Sequence, residues 1–326
     1  MKSILVGSAR AERTGRFQGM LKVGSMPDGA AIELPVIIVR GAQDGPALWI
    51  HGCVHGNEYC GAFSIHEFTR SLDPAQVRGT VIALPILNLT GFRARQRSSP
   101  FEIFNNTDMN RCFPGSTNGG MTEQMAHVVF TALKQNATHF VDFHTAYTPD
   151  TRWALYANLG GEVSRVGRVM AEAFGFENTL PTPEGTLHTS ALMAAGREGI
   201  PGFLVEAGGV GPAFSRETVL DVAERLRNLA RAIGLLPGAV TMYPPLTTFS
   251  NFHWATAPRG GLFQADVKCG DTVRQGQKIG TYYDVFGQPD GDATAPAAGV
   301  VLAINPGPII PQGDVLIHIG LDPRKG

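Results

Sequence analysis

The chain has 326 residues, of which 43% are hydrophobic and 17% are charged, and its formal net charge is −1. This composition is typical of a soluble globular protein with one large core and a smaller second domain. The near-zero charge leaves no basic footprint for nucleic acid, and no basic cluster indicates a membrane surface. No apolar run reaches the roughly 20 residues that a membrane-spanning helix needs. The N-terminal apolar segment is too short for a signal peptide, so we expect a cytoplasmic protein.

The four cysteines are Cys53, Cys60, Cys112 and Cys269, and no two of them form a CxxC pair. Without a signal sequence, a disulfide framework is not expected. Cys53 and Cys112 lie near the candidate site described below, so a thiol nucleophile is one alternative. Small thiols packed in a core are commoner, and we favour that interpretation.

The N-terminal part of the chain gives few signals. Residues 1–30 are polar and irregular, and we expect them to form an N-terminal extension. Residues 31–40 predict a strand, in which Pro35 favours an edge position or a break. The apolar run at 46–50 predicts a buried strand, and residues 59–72 predict a helix.

Between that strand and that helix lies the segment His51-Gly-Cys-Val-His55-Gly-Asn-Glu58. Open α/β folds place their chemistry in such loops, where a strand ends and a helix begins. The imidazole of His55 and the carboxylate of Glu58 can converge on one point, which with a distant third ligand suits a catalytic zinc ion. Alternatively, Glu58 only complements the helix N-terminus and His55 is an ordinary loop histidine. His51, four residues before His55, is a further candidate ligand.

A long polar loop follows the next predicted strand, at 78–87. It runs from 90 to 120, and loops of this length in a compact domain are usually functional. Guanidinium groups in it can bind carboxylates through paired hydrogen bonds, although each arginine taken singly is better explained as a surface residue. The polar residues that stand out are Arg93, Arg95, Arg97, Asn110 and Arg111.

A second histidine lies at the end of a predicted strand. Residues 122–136 predict a helix, and 139–144 predict a strand that ends in His144. Parallel strands bring their carboxyl ends to one edge of a sheet, so His144 can join His55 there. Asp142, two residues earlier on the same face, can orient the imidazole, although a backbone carbonyl would do so equally well.

A carboxylate ends the last predicted strand of the first domain. Residues 202–206 are apolar until Glu206, and a buried glutamate is costly unless it is paired or functional. A partly desolvated glutamate beside a metal is a good general base, and a salt-bridged edge glutamate is the alternative. The other predicted elements of this domain are a strand at 152–157 and helices at 162–174, 187–197 and 217–236.

The C-terminal part of the chain has a different pattern. Residues 1–240 form the predicted catalytic domain, and 241–258, rich in proline, threonine and aromatic residues, are interpreted as a linker. Residues 259–326 contain short strands and glycines without helical periodicity. Two similar units, at 261–280 and 299–320, predict a small interlocked β-barrel.

Four motifs together resemble a known family. They are His55-Gly-Asn-Glu58, Asp108-Met-Asn110-Arg111-Cys-Phe-Pro-Gly115, Asp142-Phe-His144 and Val205-Glu206-Ala-Gly208. In this order and setting they resemble the succinylglutamate desuccinylase/aspartoacylase family, within the zinc carboxypeptidase-like (M14) group. The resemblance covers about residues 30–240, and a second domain is typical of many members. It implies an α/β fold, with a mixed-sheet catalytic domain followed by a small all-β domain resembling a barrel-sandwich hybrid.

The resemblance also implies roles for individual residues. It makes His55, Glu58 and His144 the ligands of one zinc ion per chain, and Glu206 the general base. Asn110 and Arg111 match the residues that hold a substrate carboxylate. Arg97 matches the residue that polarises the scissile carbonyl, although Arg95 stays an alternative. The family pattern argues against His51 as a ligand.

The second domain resembles biotinyl and lipoyl carriers, but the hairpin at 282–294 lacks the lysine that carriers modify. A swinging-arm role is therefore rejected, and a lid, a pocket wall or an oligomer contact is expected. The resemblance favours a homo-oligomer. Residues Tyr147, His188 and Ser190 are expected in the pocket wall.

The expected function is zinc-dependent hydrolysis of the amide bond of a small N-acylated amino acid or a related metabolite. Nucleic-acid and membrane partners are not expected. A zinc carboxypeptidase acting on peptides is the second enzymatic interpretation, and a non-catalytic metabolite-binding protein on the same scaffold is the third. The sequence does not specify the acyl group.

Overall fold

The computed structural model describes residues 3–102, 107–305 and 307–326. The helices are α1 Tyr59–Ser71, α2 Leu89–Ala94, α3 Met121–Asn136, α4 Gly161–Phe174, α5 Ala191–Arg197 and α6 Arg216–Ala232, and a 3-10 helix spans Met109–Arg111. The first strands are β1 Ile4–Val6, β2 Ala9–Ala11, β3 Gly15–Ser25, β4 Ala31–Arg40, β5 Gln43–His51, β6 Arg78–Leu84, β7 His139–His144, β8 Thr151–Asn158, β9 Asn178–Pro183 and β10 Gly202–Gly208. The remaining strands are β11 Thr247–Thr248, β12 Asn251–Thr256, β13 Gly261–Ala265, β14 Thr272–Val273, β15 Lys278–Tyr283, β16 Pro289–Thr294, β17 Gly299–Ile304, β18 Ile309–Ile310, β19 Val315–Leu321 and β20 Arg324–Lys325.

A ten-stranded mixed sheet forms the centre of the first domain, in the order β20-β11-β9-β8-β10-β7-β5-β6-β4-β3. The neighbours β10, β7, β5 and β6 run parallel to one another. Their carboxyl ends therefore meet at one edge, where β5 ends at His51 and β7 ends at His144.

Helices cover both faces of this sheet. Alternate residues along a strand point to opposite faces, so Trp49 joins the core beneath α3 and α5 while Leu48 and Ile50 join the core beneath α1, α4 and α6. Both faces are therefore buried. This explains why the central strands are nearly continuous apolar runs without an alternating polar pattern.

The C-terminal domain consists of two four-stranded sheets, β12-β19-β17-β14 and β16-β15-β13-β18. The two sequence units exchange strands, because β14 of the first unit pairs with β17 and β18 of the second unit pairs with β13. Side chains such as Phe263, Ile279 and Ile317 fill the core between the sheets. The predicted fold class, a mixed-sheet α/β domain followed by a small interlocked all-β domain, is confirmed.

Two segments differ from the sequence prediction. Residues 1–30 were expected to be irregular, but they contain β1, β2 and β3, and β3 pairs with β4 from Gly15 to Ser25. Only Leu21 and Val23 of β3 are buried, so the alternating pattern was too short to detect. Residues 241–258 were expected to be a linker, but they contain β11 and β12. Phe252 and Trp254 lie on one face of β12, and this strand pairs with β19.

Smaller differences have local causes. The helix expected from 187 begins at Ala191, because the side chain of Ser190 accepts a hydrogen bond from the Met193 amide and caps it there. Pro35 lies within β4 but beyond the stretch that pairs with β6, so it occupies a local edge as expected. Among the described residues, no helix has the length and apolar character required to cross a bilayer.

We expect Gly61→Ala to destabilise the fold by about 1–3 kcal/mol, the usual cost of overpacking a core. Gly61 lies on α1, and a Cβ atom there would approach Cβ of Phe143 on β7 to 2.4 Å. Gly24→Ala is the matched control, because its nearest neighbour would be a flexible Ile32 methyl group at 3.8 Å. Urea unfolding measures the free energy of unfolding of both variants. Equal values would contradict the close packing of α1 on β7.

Candidate metal centre and substrate pocket

The site is built from strand ends and the loop between β5 and α1. In the register of the sheet, Glu206 on β10 lies beside His144 on β7. Glu58 is the residue that precedes α1, but its side chain accepts no capping hydrogen bond from the helix. Instead the carboxylate of Glu58 turns towards His55 and His144.

Backbone contacts hold this loop in place. The amide of Gly56 donates to the carbonyl of Arg97 at 3.0 Å, and the amide of Asn88 donates to the carbonyl of Cys53 at 2.8 Å. A Cβ atom on Gly56 would lie 2.2 Å from the backbone of Gly91, so only glycine permits this approach. The same contacts bring Arg97 from the predicted long loop to the site.

Three side chains form a group that can hold a metal ion. The donor atoms of His55, Glu58 and His144 all lie within 4.8 Å of one another. Nδ1 of His55 is 2.9 Å from Oε1 of Glu58, and Nδ1 of His144 is 3.0 Å from Oε2 of Glu58. Each residue is only 3% exposed. Two imidazoles and one carboxylate are the donor set of many catalytic zinc sites, which keep a further position open.

The outer nitrogens of both histidines face carboxylates. Nε2 of His144 is 3.1 Å from Oδ1 of Asp142, and Nε2 of His55 is 3.0 Å from Oδ1 of Asp108. A carboxylate only accepts hydrogen bonds, so it favours a proton on Nε2 and leaves Nδ1 free to bind a cation. The orienting role predicted for Asp142 is therefore met geometrically, and Asp108 has the same relation to His55.

Negative charge is concentrated around the group. Burial by itself would raise the pKa of Glu58, Asp108 and Asp142, but the adjacent histidines outweigh it and hold all three pKa values well below their usual range. Three ionised carboxylates therefore surround two imidazoles. Arg97 balances part of this charge through its contacts with Glu58 and Asp108, and the negative charge that remains fits a divalent cation.

His51 lies outside the metal group. Its ring is fully buried and its Nε2 is 2.9 Å from the same Asp142 oxygen that His144 contacts. It supports the orienting carboxylate and does not reach the cluster. The sequence alone left His51 open as a ligand, and the structure assigns it this supporting contact.

Glu206 faces the cavity beside the metal group. Burial raises the pKa of Glu206 to about 8. The negative charge of Glu58 also raises this pKa, whereas His144 and Arg97 lower it. Oε2 of Glu206 is enclosed and has no hydrogen-bond partner among the described residues. A cation bound to the neighbouring cluster would favour the ionised form of this carboxyl group.

The polar residues of the long loop take different places. Arg97 lines the cavity, with Nη1 at 3.3 Å from Glu58 and Nη2 at 3.2 Å from Asp108. Arg111 and Asn110 also line it, and the buried Asn110 side chain accepts a hydrogen bond from the Ala191 amide. Arg95 ends α2 in a left-handed conformation, is exposed, and does not line the cavity.

The cavity over the site has a volume of about 510 Å³, which is sufficient for a small metabolite. Of the three residues expected in its wall, only Tyr147 lines it. His188 is exposed beside Glu184, and Ser190 is the buried cap of α5. The second domain forms part of the cavity wall, which is one of the three roles expected for it. Its contributing residues, missed from the sequence, are Phe252, Trp254, Asn305, Asp314, Val315 and His318.

The thiols near the site are unsuited to catalysis. Cys53 is fully buried, and burial raises the pKa of its thiol well above the usual range. Burial likewise raises the pKa of Cys112 to about 12. A nucleophilic cysteine needs a lowered pKa, so the thiol alternative is not supported.

Comparisons with known proteins agree with these motifs. The family model described as "Succinylglutamate desuccinylase/Aspartoacylase catalytic domain" matches residues 44–233. The chain belongs to this family. The matched range covers the loop of His55 and Glu58, the long loop, and the strands of His144 and Glu206.

Three known proteins are similar to this chain along most of its length. The N-alpha-acetyl-L-2,4-diaminobutyric acid deacetylase of Halomonas elongata is 28% identical over 287 residues, which are 84% of this chain and 82% of that protein. A succinylglutamate desuccinylase/aspartoacylase from Rhodobacter sphaeroides matches with a TM-score of 0.83 and 25% identity over 97% of each chain. The product-bound ectoine utilization protein EutE (DoeB) from Ruegeria pomeroyi matches with a TM-score of 0.84 and 25% identity over 98% of each chain.

We expect added zinc to raise the thermal unfolding temperature of metal-stripped protein, because a ligand that binds only the folded state stabilises it by about 2.7 kcal/mol at 100 times its Kd. His55→Ala and His144→Ala should remove this shift and the bound zinc. His188→Ala is the matched control, since His188 is exposed outside the cavity. Thermal unfolding scans measure the shift, and metal analysis measures the bound zinc. A wild-type protein without shift or bound zinc, or a control that loses both, would refute the assignment.

Proposed function

We propose that this member of the family is a zinc-dependent amidohydrolase that deacylates a small N-acylated amino acid or a related metabolite. The observation that carries the proposal is the cluster of His55, Glu58 and His144 beside a buried carboxyl group, Glu206, in one cavity. Family membership supports a hydrolase of acylated amino acids. The name of the Halomonas elongata relative, a deacetylase of an N-acetylated diamino acid, supports an amide as the bond that is cleaved.

A zinc ion held by His55, Glu58 and His144 would supply Lewis-acid polarisation of the carbonyl and a more acidic water. Glu206 takes the proton of the attacking water as general base. It then delivers that proton to the leaving nitrogen, so that the amide and water become a carboxylic acid and an amine. The acid then gives its proton to the amine, and the products leave as carboxylate and ammonium. The place of Glu206 beside the cluster in the same cavity suits both steps, because one carboxyl group can take the proton from the water and then release it to the amine.

Arg97 and Arg111 are proposed to act on the two ends of the substrate. Arg97 lies next to Glu58 and stabilises the negative charge that develops on the carbonyl oxygen in the tetrahedral transition state. Arg111, with Asn110 beside it, binds the substrate carboxylate and fixes its orientation.

The second domain favours a small substrate over a peptide. Residues of both domains line the cavity, with Trp153 and Leu204 from the first and Phe252 and Trp254 from the second. The second domain thus narrows the space around the site, whereas a carboxypeptidase needs an open cleft for its peptide. The cytoplasmic location and the homo-oligomer stay predictions.

We expect the zinc-loaded protein to hydrolyse at least one N-acyl amino acid in a screen of acetyl, succinyl and larger acyl groups. Glu206→Gln should lower kcat by at least about 100-fold, because it removes a general base without changing the size of the side chain. Zinc content should not change in this variant. Wild-type protein that binds zinc but cleaves none of these amides would refute the deacylase, and peptide cleavage in the same assay would support the carboxypeptidase.

Arg97→Asn is expected to lower kcat by about 100-fold, the usual loss when one oxyanion-stabilising donor is removed. Arg95→Asn is the matched control, because Arg95 lies outside the cavity and asparagine tolerates its left-handed conformation. Steady-state kinetics on the best substrate from the screen compares the two. A larger loss of kcat in the Arg95 variant would mean that Arg95, and not Arg97, stabilises the oxyanion.

A further inference from the structure

Three enzyme groups on one wall of the cavity have an unpaired polar atom. Oε2 of Glu206, Nε1 of Trp153 and Nδ1 of His318 are all enclosed, and none has a hydrogen-bond partner among the described residues. All three residues line the cavity. Glu206 has its proposed proton-transfer role, so the other two atoms need an explanation.

Trp153 lies next to Glu206 in the sheet. In the register of β7, β10 and β8, His144 is beside Glu206 and Glu206 is beside Trp153, which places the three in a row across the strands. Neighbouring strands are about 4.8 Å apart, so Trp153 lies roughly 10 Å from His144. Trp153 therefore borders the part of the cavity that lies beyond Glu206, away from the candidate metal ligands.

His318 comes from the second domain and meets Trp153 at this point. The two rings are 6.3 Å apart in an edge-to-face arrangement, and the ring of Trp254 stacks on His318 at 5.4 Å. Burial, together with the charge of Arg97, lowers the pKa of His318 to about 4. The imidazole is therefore neutral at physiological pH, with one N–H donor and one acceptor.

The chemistry of the two side chains defines what they can bind. An indole N–H only donates, and a neutral imidazole donates from one nitrogen. A buried donor left unpaired costs free energy, and the cost is removed when an acceptor enters the site. The wall around them is aromatic, with Phe252 and Trp254 alongside, so the rest of the bound group must be compact or apolar.

We propose that Trp153 and His318 form a specificity subsite that hydrogen-bonds a carbonyl-type oxygen of the substrate, beyond the scissile amide and away from the metal group. The subsite rests on the proposed function, because it selects among substrates of the same site. Its oxygen comes either from the acyl group or from the amino-acid side chain. The second domain thereby contributes to substrate selection through His318.

Two pairs of nearly isosteric substrates, with equal charge within each pair, distinguish these sources. N-acetyl-L-asparagine and N-acetyl-L-leucine differ in the side-chain amide, which supplies the oxygen. N-levulinoyl-glycine and N-isocaproyl-glycine differ in the oxygen at the end of the acyl group. We expect the zinc-loaded protein to prefer the oxygen-bearing member of one pair by at least about 10-fold in kcat/KM, since a site built around donors rejects an analogue that lacks the acceptor.

The variants Trp153→Phe and His318→Phe keep an aromatic ring and remove the polar atoms. Each should reduce that preference to about 3-fold or less, and the double variant should lose little more, because both donors serve one group. Trp49→Phe is the matched control for the indole, since Trp49 is fully buried with an unpaired Nε1 outside the cavity. His253→Phe is the control for the imidazole, because His253 is exposed on β12.

The proposal is overturned if neither pair shows a preference, if the two subsite variants keep it, or if the controls lose it equally. Equal use of both members of each pair would mean that no substrate oxygen reaches the two donors. Calorimetric binding of the same pairs to Glu206→Gln needs no turnover. If the variant binds the oxygen-bearing substrate more tightly but the wild-type protein hydrolyses none of the substrates, the subsite is supported and the deacylase is refuted. If neither assay shows a preference, the subsite is refuted.

Discussion

The site depends on the contacts that the carboxylate of Asp142 makes with two histidines. One of its oxygens lies within 3.1 Å of His144 and within 2.9 Å of His51, so it connects the ends of β7 and β5 while it fixes the orientation of the His144 ring. A fully buried carboxylate is tolerated only with such partners. The parallel pairing of β5, β7 and β10 supplies the geometry, and Asp142 sets which nitrogen of His144 is presented to a cation.

The cavity combines two kinds of chemistry from two domains. The first domain supplies charged groups of the cavity, namely His55, Glu58 and His144, together with Glu206, Arg97 and Arg111. The second domain supplies aromatic rings and a neutral imidazole, His318, which act on the shape and polarity of the space beyond these groups. Changes in the second domain can therefore alter which substrate is accepted while the metal cluster is left intact.

Local patterns in the sequence were sufficient for part of the structure. The strands that carry His144 and Glu206 were predictable because most of the preceding residues are apolar, with Asp142 as the exception in β7. His55 and Glu58 lie in a loop between a predicted strand and a predicted helix. The contribution of His318 was not predictable, since it arises from a contact between domains about 112 residues beyond Glu206 in sequence. The short strands β11 and β12 were missed because pairing with β20 and β19, not local propensity, defines them.

The attachment of the second domain has a mechanical consequence. The chain enters this domain after β11 and leaves it into β20, and these two strands pair with each other at the edge of the main sheet beside β9. Both ends of the domain are thus anchored at one place. Away from these ends, the amide of Thr148 in the first domain donates to the carbonyl of Ile304 on β17 at 3.1 Å, so a hinge rotation of the whole domain would have to break this backbone hydrogen bond. Substrate entry must then rely on movements of side chains and loops at the cavity mouth, and the width of that mouth sets an upper limit on the size of molecule that can reach the metal cluster.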